Sequence, residues 1–392
     1  MTSAAINLPR QMLVGGGSVK KIGSVLKSLN ATRPLIVTDA FLASSGALES
    51  LTSAMVDGEK YDVFDETIPD PTTESVERLV MKLKEGNFDS IIALGGGSPM
   101  DTAKAASCLY SFGGRMSDYK APREMNDEGM PLIAIPTTAG TGSEATRFTI
   151  VTDTETDEKM LCIGLTYLPV ACIVDYTLTL KKPWRLTADT GIDAMCHAME
   201  AYVSKKRNPF ADSMALSALN SIGSSIRTAC LEPENHEARE KMMLASTQAG
   251  ISFSNSSVTL IHGMSRPIGA NFHVPHGLSN AMLAPLCTRY GIEGAVDRYA
   301  DVARAMGFCD VGISDEDAAD RLPESLKELN EELQVPSLRE FGVEENEFRS
   351  CKEKMAQDAL ASGSPNNNPV IPSAVEIEKL YDEIYGDVVQ VA

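Results

Sequence analysis

The sequence predicts two parts in series: an α/β domain on a parallel sheet over residues 1–183, then an all-helical domain over residues 184–392. Three observations carry that reading. Short apolar runs alternate with helical patterns through the first half, as strands joined by crossover helices do. Two of those runs end in loops suited to binding, one rich in glycine and one in threonine. From about Pro183 the β-branched runs give way to long helical patterns.

Residues 34–38 read as a strand ending at Asp39, whose carboxylate suits a ribose 2′-hydroxyl and repels a 2′-phosphate, favouring NAD over NADP; the plain alternative is a cap on the next helix. Residues 90–94 run into Gly95-Gly96-Gly97-Ser98, with Asp101 in the helix that follows. Glycines let the backbone approach a phosphate, and a helix N-terminus supplies oriented N–H groups. The spacing matches neither the common dinucleotide fingerprint nor a P-loop, so a tight strand-to-helix turn explains the loop equally well. Residues 131–135 lead into a loop with hydroxyls at Thr137, Thr138, Thr141 and Ser143. Ligands of open α/β sheets bind outside the carboxyl ends of the strands, where both loops fall. Beyond Pro183, residues 186–204, 211–230, 237–252 and 296–306 read as helices, and 362–369 as a loop dense in turn residues.

With 43% hydrophobic and 23% charged residues among 392, the composition is that of a globular chain with room for two cores. A net charge of −19 argues against nucleic-acid or anionic-membrane partners. The eight cysteines are scattered, with no C-x-x-C pair, as in reduced cytoplasmic proteins. No secretory leader and no run of 18 apolar residues occurs, so a cytoplasmic location is expected.

Four of the five histidines fall in two stretches. Asp193 and His197 are four apart on a helical pattern and share a face. His262, His273 and His276 add imidazoles on either side of a bend that contains glycine and proline. One carboxylate with several imidazoles suits Fe(II), Zn(II) or a similar ion. Taken alone, Asp193 and His197 would more often be a surface hydrogen-bonded pair. His236, in an acidic loop, reads as solvated.

On these residues the chain resembles the iron-containing (group III metal-dependent) alcohol dehydrogenases over nearly its whole length. The resemblance rests on four blocks in order: Gly95–Ser98 with Asp101; Pro136 to Glu144; Thr190-Gly191-x-Asp193-Ala194-x-x-His197-Ala198-x-Glu200-Ala201-Tyr202; and His262 with Pro275-His276-Gly277. It implies a Rossmann-like N-terminal domain, a helical C-terminal domain in the manner of dehydroquinate synthase, and a metal in the cleft between them. It further implies metal ligands at Asp193, His197, His262 and His276. The implied NAD contacts are Asp39, Asp70, Gly96, Gly97, Ser98, Asp101, Thr137, Thr138, Ser143 and Lys159, with Leu178 and Thr179 near the adenosine. Phe253 takes the aromatic position beside the nicotinamide, and at least a dimer is expected.

One departure from the family pattern bears on substrate. Many members carry a second histidine where this chain has Arg266, which cannot shuttle protons but can grip a carboxylate, sulfonate or phosphonate. Ser362-Gly363-Ser364 likewise lacks the acid common there. The expected substrate is a small aldehyde with an anionic tail, such as sulfoacetaldehyde, with His273 or a water chain as proton carrier. The alternatives are a neutral short-chain alcohol or diol dehydrogenase, a dehydroquinate synthase-type lyase, and a non-enzymatic metal-binding protein.

Overall fold

A computed structural model describes residues 3–55, 60–156 and 158–386. The described residues divide into two compact units: those of Ala5–Lys182 with Glu234–Ser254, and those of Pro183–Pro233 with the rest from Asn255 onward and residues 3–4.

The first unit holds strands β1 (Gln11–Val14), β2 (Pro34–Val37), β3 (Asp62–Phe64), β4 (Ser90–Gly95), β5 (Leu132–Pro136), β6 (Phe148–Asp153), β7 (Glu158–Ile163) and β8 (Ala171–Val174). Six of them form one sheet in the order β1-β8-β5-β4-β2-β3, parallel throughout, while β6 and β7 make a separate antiparallel hairpin. Strands β2, β4, β5 and β8 are buried along their whole length, which is why they read as unbroken apolar runs. Their side chains nonetheless sort by parity. Leu35, Val37, Ile91, Ala93, Leu132, Ala134, Cys172 and Val174 enter one core. Ile36, Ile92, Leu94, Ile133, Ile135, Ala171 and Ile173 enter the other, as a period of two requires.

Helices α1 (Ile22–Leu29), α2 (Ala40–Ser44) and α3 (Ala47–Thr52) precede α4 (Thr73–Gly86) and α5 (Gly97–Phe112). Ile22, Val25 and Leu26 of α1 cover one face, and Val76, Leu79 and Leu83 of α4 with Met100, Ala103 and Ala106 of α5 cover the other. Each set recurs at three and four residues, a helical stripe. The β6–β7 hairpin, β1, β3 and β8 add to the three strands legible in the sequence. The hairpin strands alternate buried with partly exposed residues, and β1 and β3 are mostly half-buried, so they give no fully buried run, whereas β8 is a buried apolar run that sequence reasoning missed.

Helices α6 (Trp184–Val203), α7 (Pro209–Leu231), α8 (His236–Ser254), α9 (Leu260–Phe272), α10 (His276–Gly291), α11 (Val296–Ala305), α12 (Asp315–Glu332), α13 (Leu338–Phe341), α14 (Glu345–Ala361) and α15 (Ala374–Tyr385) follow. All belong to the second unit except α8, which belongs with the α/β unit. Two glycines explain that placement. Gly142 stands at φ 61° after β5, and a Cβ there would lie 2.5 Å from the Cα of Gly250 in α8, so helix and loop meet backbone to backbone. Thr247 of α8 also donates to the buried Glu144 at 2.6 Å.

The bend expected around Gly263 and Pro267 lies elsewhere. Both residues sit inside α9, and the chain turns at His273, the left-handed C-cap whose N–H bonds to the Gly269 carbonyl. Pro267 lacks the N–H that would bond within the helix, a loss one turn of helix tolerates when packing holds it. Cys108, Cys162, Cys172, Cys196, Cys230 and Cys287 are buried, and none of the eight cysteines is paired. Among the described residues no helix is long and apolar enough to cross a membrane.

Candidate active site

Within the helical unit, α6 carries Asp193, His197 and Glu200 on one buried face, at steps of four and three residues. His262 projects from the first turn of α9, and His276 opens α10. Asp193, His197, His262 and His276 each bring one ligand atom within 4.8 Å of the others. The Asp193 Oδ1 lies 3.6 Å from His262 Nε2, 3.6 Å from His276 Nε2 and 3.8 Å from His197 Nδ1. Ligands bound about 2.0–2.2 Å from one ion stand roughly 3–4 Å apart, so the set fits a divalent cation. Asp193, His197 and His262 are buried, whereas the His276 side chain is 45% exposed, leaving the set open on one side. Burial alone would push the Asp193 carboxyl up, but His197, His276 and His262 together hold it well below the usual range.

Glu200 orients the set. Its carboxylate accepts from His262 Nδ1, from the Thr259 hydroxyl at 2.9 Å and from the His262 N–H at 3.3 Å. With Nδ1 so engaged, His262 Nε2 faces Asp193, and Glu200 stands where a carboxylate usually supports a metal-binding imidazole. Burial lowers the His262 pKa, but Glu200 above all raises it to about 9. His276 is placed similarly, its Nδ1 3.4 Å from the Ser265 hydroxyl. Gly277 lets α10 begin against α6: a Cβ there would lie 2.3 Å from the Asp189 carbonyl oxygen. Sequence reasoning assigned no role to Glu200 or Asn280, though each lies on a ligand's own face, three residues after His197 and four after His276.

Arg266 lies one turn after His262 on α9, half-buried, and makes no hydrogen bond or ion pair with the described residues. Burial lowers its pKa, and the charge of Glu200 raises it. His273 is exposed, at φ 55°.

In the α/β unit, β4 ends at Gly95 and α5 starts at Gly97, with Gly96 as its N-cap. The glycine and threonine loops adjoin: a Cβ on Gly96 would meet Thr138, and one on Gly97 would meet Thr141. Thr137 is buried, and its hydroxyl finds no partner among the described residues. Asp101 serves the protein itself, accepting from the Ser143 hydroxyl at 3.0 Å and the Ile150 N–H at 3.0 Å. Asp39 caps α2 through Oδ1, accepting from Leu42 N–H at 2.8 Å. Lys159 pairs with Asp70 at 3.3 Å. Leu178 and Thr179 lie in a 3₁₀ turn, where the Thr179 hydroxyl donates to the Tyr176 carbonyl. Phe253 stacks on Phe148 with ring centroids 5.9 Å apart. His236 is exposed, as expected of a solvated residue, with Nδ1 3.2 Å from the Tyr176 hydroxyl.

Lys104 was missed. It is fully buried, and its ammonium donates to Ser143 Oγ at 2.8 Å, the Thr146 carbonyl at 3.1 Å, the Thr146 hydroxyl at 3.0 Å and the Phe148 carbonyl at 2.9 Å. Burial lowers its pKa to about 8 against the pull of Asp101 and Glu144. Lys104→Met is expected to cost about 3–5 kcal/mol of stability in urea denaturation, because two buried carboxyls lose their counter-charge. A loss below 1 kcal/mol would show that the ammonium is not needed to hold the loop.

Two family patterns match the chain in succession, "Iron-containing alcohol dehydrogenase" over residues 9–176 and "Fe-containing alcohol dehydrogenase family, C-terminal" over residues 187–385. The NAD-dependent methanol dehydrogenase of Bacillus methanolicus is 35% identical, over 95% of this chain and 97% of its own. A solved 1,3-propanediol oxidoreductase superposes with a TM-score of 0.94 at 31% identity, covering 98% of this chain and 100% of its own. The sulfoacetaldehyde reductase of Bifidobacterium kashiwanohense, solved with NAD+, gives a TM-score of 0.88 at 28% identity, covering 98% of this chain and 100% of its own. The chain belongs to the iron-containing alcohol dehydrogenase family.

Proposed function

We propose that the protein interconverts a small aldehyde and a primary alcohol with NAD(H), using a divalent Fe2+ or Zn2+ ion held by Asp193, His197, His262 and His276, and that its aldehyde carries an anionic tail. The convergence of those four ligand atoms within 4.8 Å carries the reading. When bound, the ion supplies Lewis acidity to a carbonyl oxygen and the dinucleotide supplies or accepts a hydride.

The chain's own residues do the rest. Glu200 keeps the His262 Nε2 lone pair turned toward the set. The N-terminus of α5, with Gly96, Gly97 and Ser98, receives the pyrophosphate, and Thr137, Thr138 and Ser143 offer hydroxyls beside it. The Asp39 oxygen not spent on its cap favours a ribose hydroxyl over a phosphate. Asp70 and Lys159, Leu178 and Thr179, and the stacked ring of Phe253 complete the dinucleotide's surroundings, while Asp101 acts by holding Ser143. Arg266 grips the anionic tail, since a half-buried guanidinium without a partner is costly unless a ligand supplies one. His273 carries the proton.

The test is metal analysis followed by NADH and NADPH oxidation with paired anionic and neutral aldehydes. NADH-linked reduction that favours anionic aldehydes supports the proposal, and inactivity of metal-loaded protein on both sets refutes it. His273→Asn, which tolerates the left-handed backbone, is expected to lower reductive kcat/KM by roughly 100-fold or more, as loss of a positioned proton donor does. An unchanged rate would clear His273 of that role. A second reading, a neutral alcohol or diol dehydrogenase, is favoured by the names of the methanol and propanediol relatives. A homo-oligomer is proposed on the family resemblance alone, with light scattering as its check.

A further inference from the structure

Asn280 lies one helical turn after His276 and is fully buried. Its amide nitrogen is 2.7 Å from Asp193 Oδ1, 3.2 Å from His262 Nε2 and 3.3 Å from His276 Nε2. Three of the four ligand atoms thus converge on one N–H2 group. The other end of the amide, Oδ1, is buried with no hydrogen-bond partner among the described residues. An amide oxygen 2.7 Å from a carboxylate oxygen would make a repulsive pair of acceptors, so the donor end of the amide faces Asp193.

We propose that Asn280 is a positioning residue whose amide N–H2 holds Asp193, His262 and His276 convergent on the point where a divalent cation would bind. The inference rests on the metal reading given above. The partial positive charge of the N–H2 group faces the Asp193 carboxylate in a buried site. A neutral donor does this without the charge that would oppose a cation. Asn280 is held on α10 by the backbone that also carries His276, one helical turn away on the same face.

The experiment uses the full chain, stripped with a chelator and titrated with Co2+, followed by the visible d–d spectrum, by chelator competition and by Tm with and without metal. Asn280→Ala is expected to lose about 10–100-fold in Co2+ affinity and to shift the spectrum, the scale seen when residues supporting metal ligands are removed. Asn280→Asp, nearly isosteric, places a second acceptor beside Asp193. Its metal-free Tm should fall, and the rise in Tm on adding Co2+ should exceed that of the wild type. Should the alanine variant not fold, the aspartate variant alone decides the matter through that difference. Wild-type affinity and spectrum in both variants, or equal losses of Tm with and without metal, would overturn the inference alone. Wild-type protein that takes up no Co2+ would overturn the metal reading together with it.

Discussion

His262→Ala is expected to abolish metal retention and turnover together. His262 is buried at 3% exposure, and its loss affects more than the one ligand atom it offers. Glu200, which accepts from His262 Nδ1, keeps only the Thr259 hydroxyl and a backbone N–H, so a buried carboxylate loses its main partner. Removing one partner of a buried charged pair costs about 3–5 kcal/mol, so the variant should also unfold more readily. Metal content by elemental analysis, measured beside NADH-linked activity, separates the two effects. Full activity in protein without metal would refute the assignment of the four ligands. Stability loss with metal and activity intact would show that His262 serves the fold alone.

The second large effect concerns substrate. For Arg266→Ala, kcat/KM on aldehydes bearing a carboxylate, sulfonate or phosphonate should fall by roughly 10- to 150-fold, because a hydrogen bond to a charged group contributes about 1.5–3 kcal/mol. Neutral aldehydes of the same length should lose little. The two classes act as each other's control, since a folding defect or a disturbed His262, four residues away, would lower both. Equal losses would remove the anion-receptor role and leave the neutral alcohol reading in place. Lys at position 266 should restore part of the preference as a point charge, and less than Arg, which presents two parallel donors.

The central strands β2, β4 and β5 were legible because full burial on both faces writes an apolar run into the chain. The face shared by Asp193 and His197 was equally plain, as was the glycine turn before α5, because helical spacing and backbone freedom are local properties. Edge strands and the β6–β7 hairpin were not, since half-exposed positions accept polar residues.

The identity of each residue type in the site was set by the sequence, and so was the order of the four family blocks. Tertiary structure alone decided that α8 belongs with the α/β unit, through the backbone contact of Gly142 with Gly250. It also decided that Glu200 supports His262, that Lys104 rather than solvent receives the loop after β5, and that Asn280 faces Asp193, His262 and His276 while Arg266 makes no hydrogen bond or ion pair with the described residues. These are matters of distance between residues far apart in the chain, 87 positions in the case of Asn280 and Asp193. Local propensity carries no information about such distances, which packing of whole helices and strands fixes.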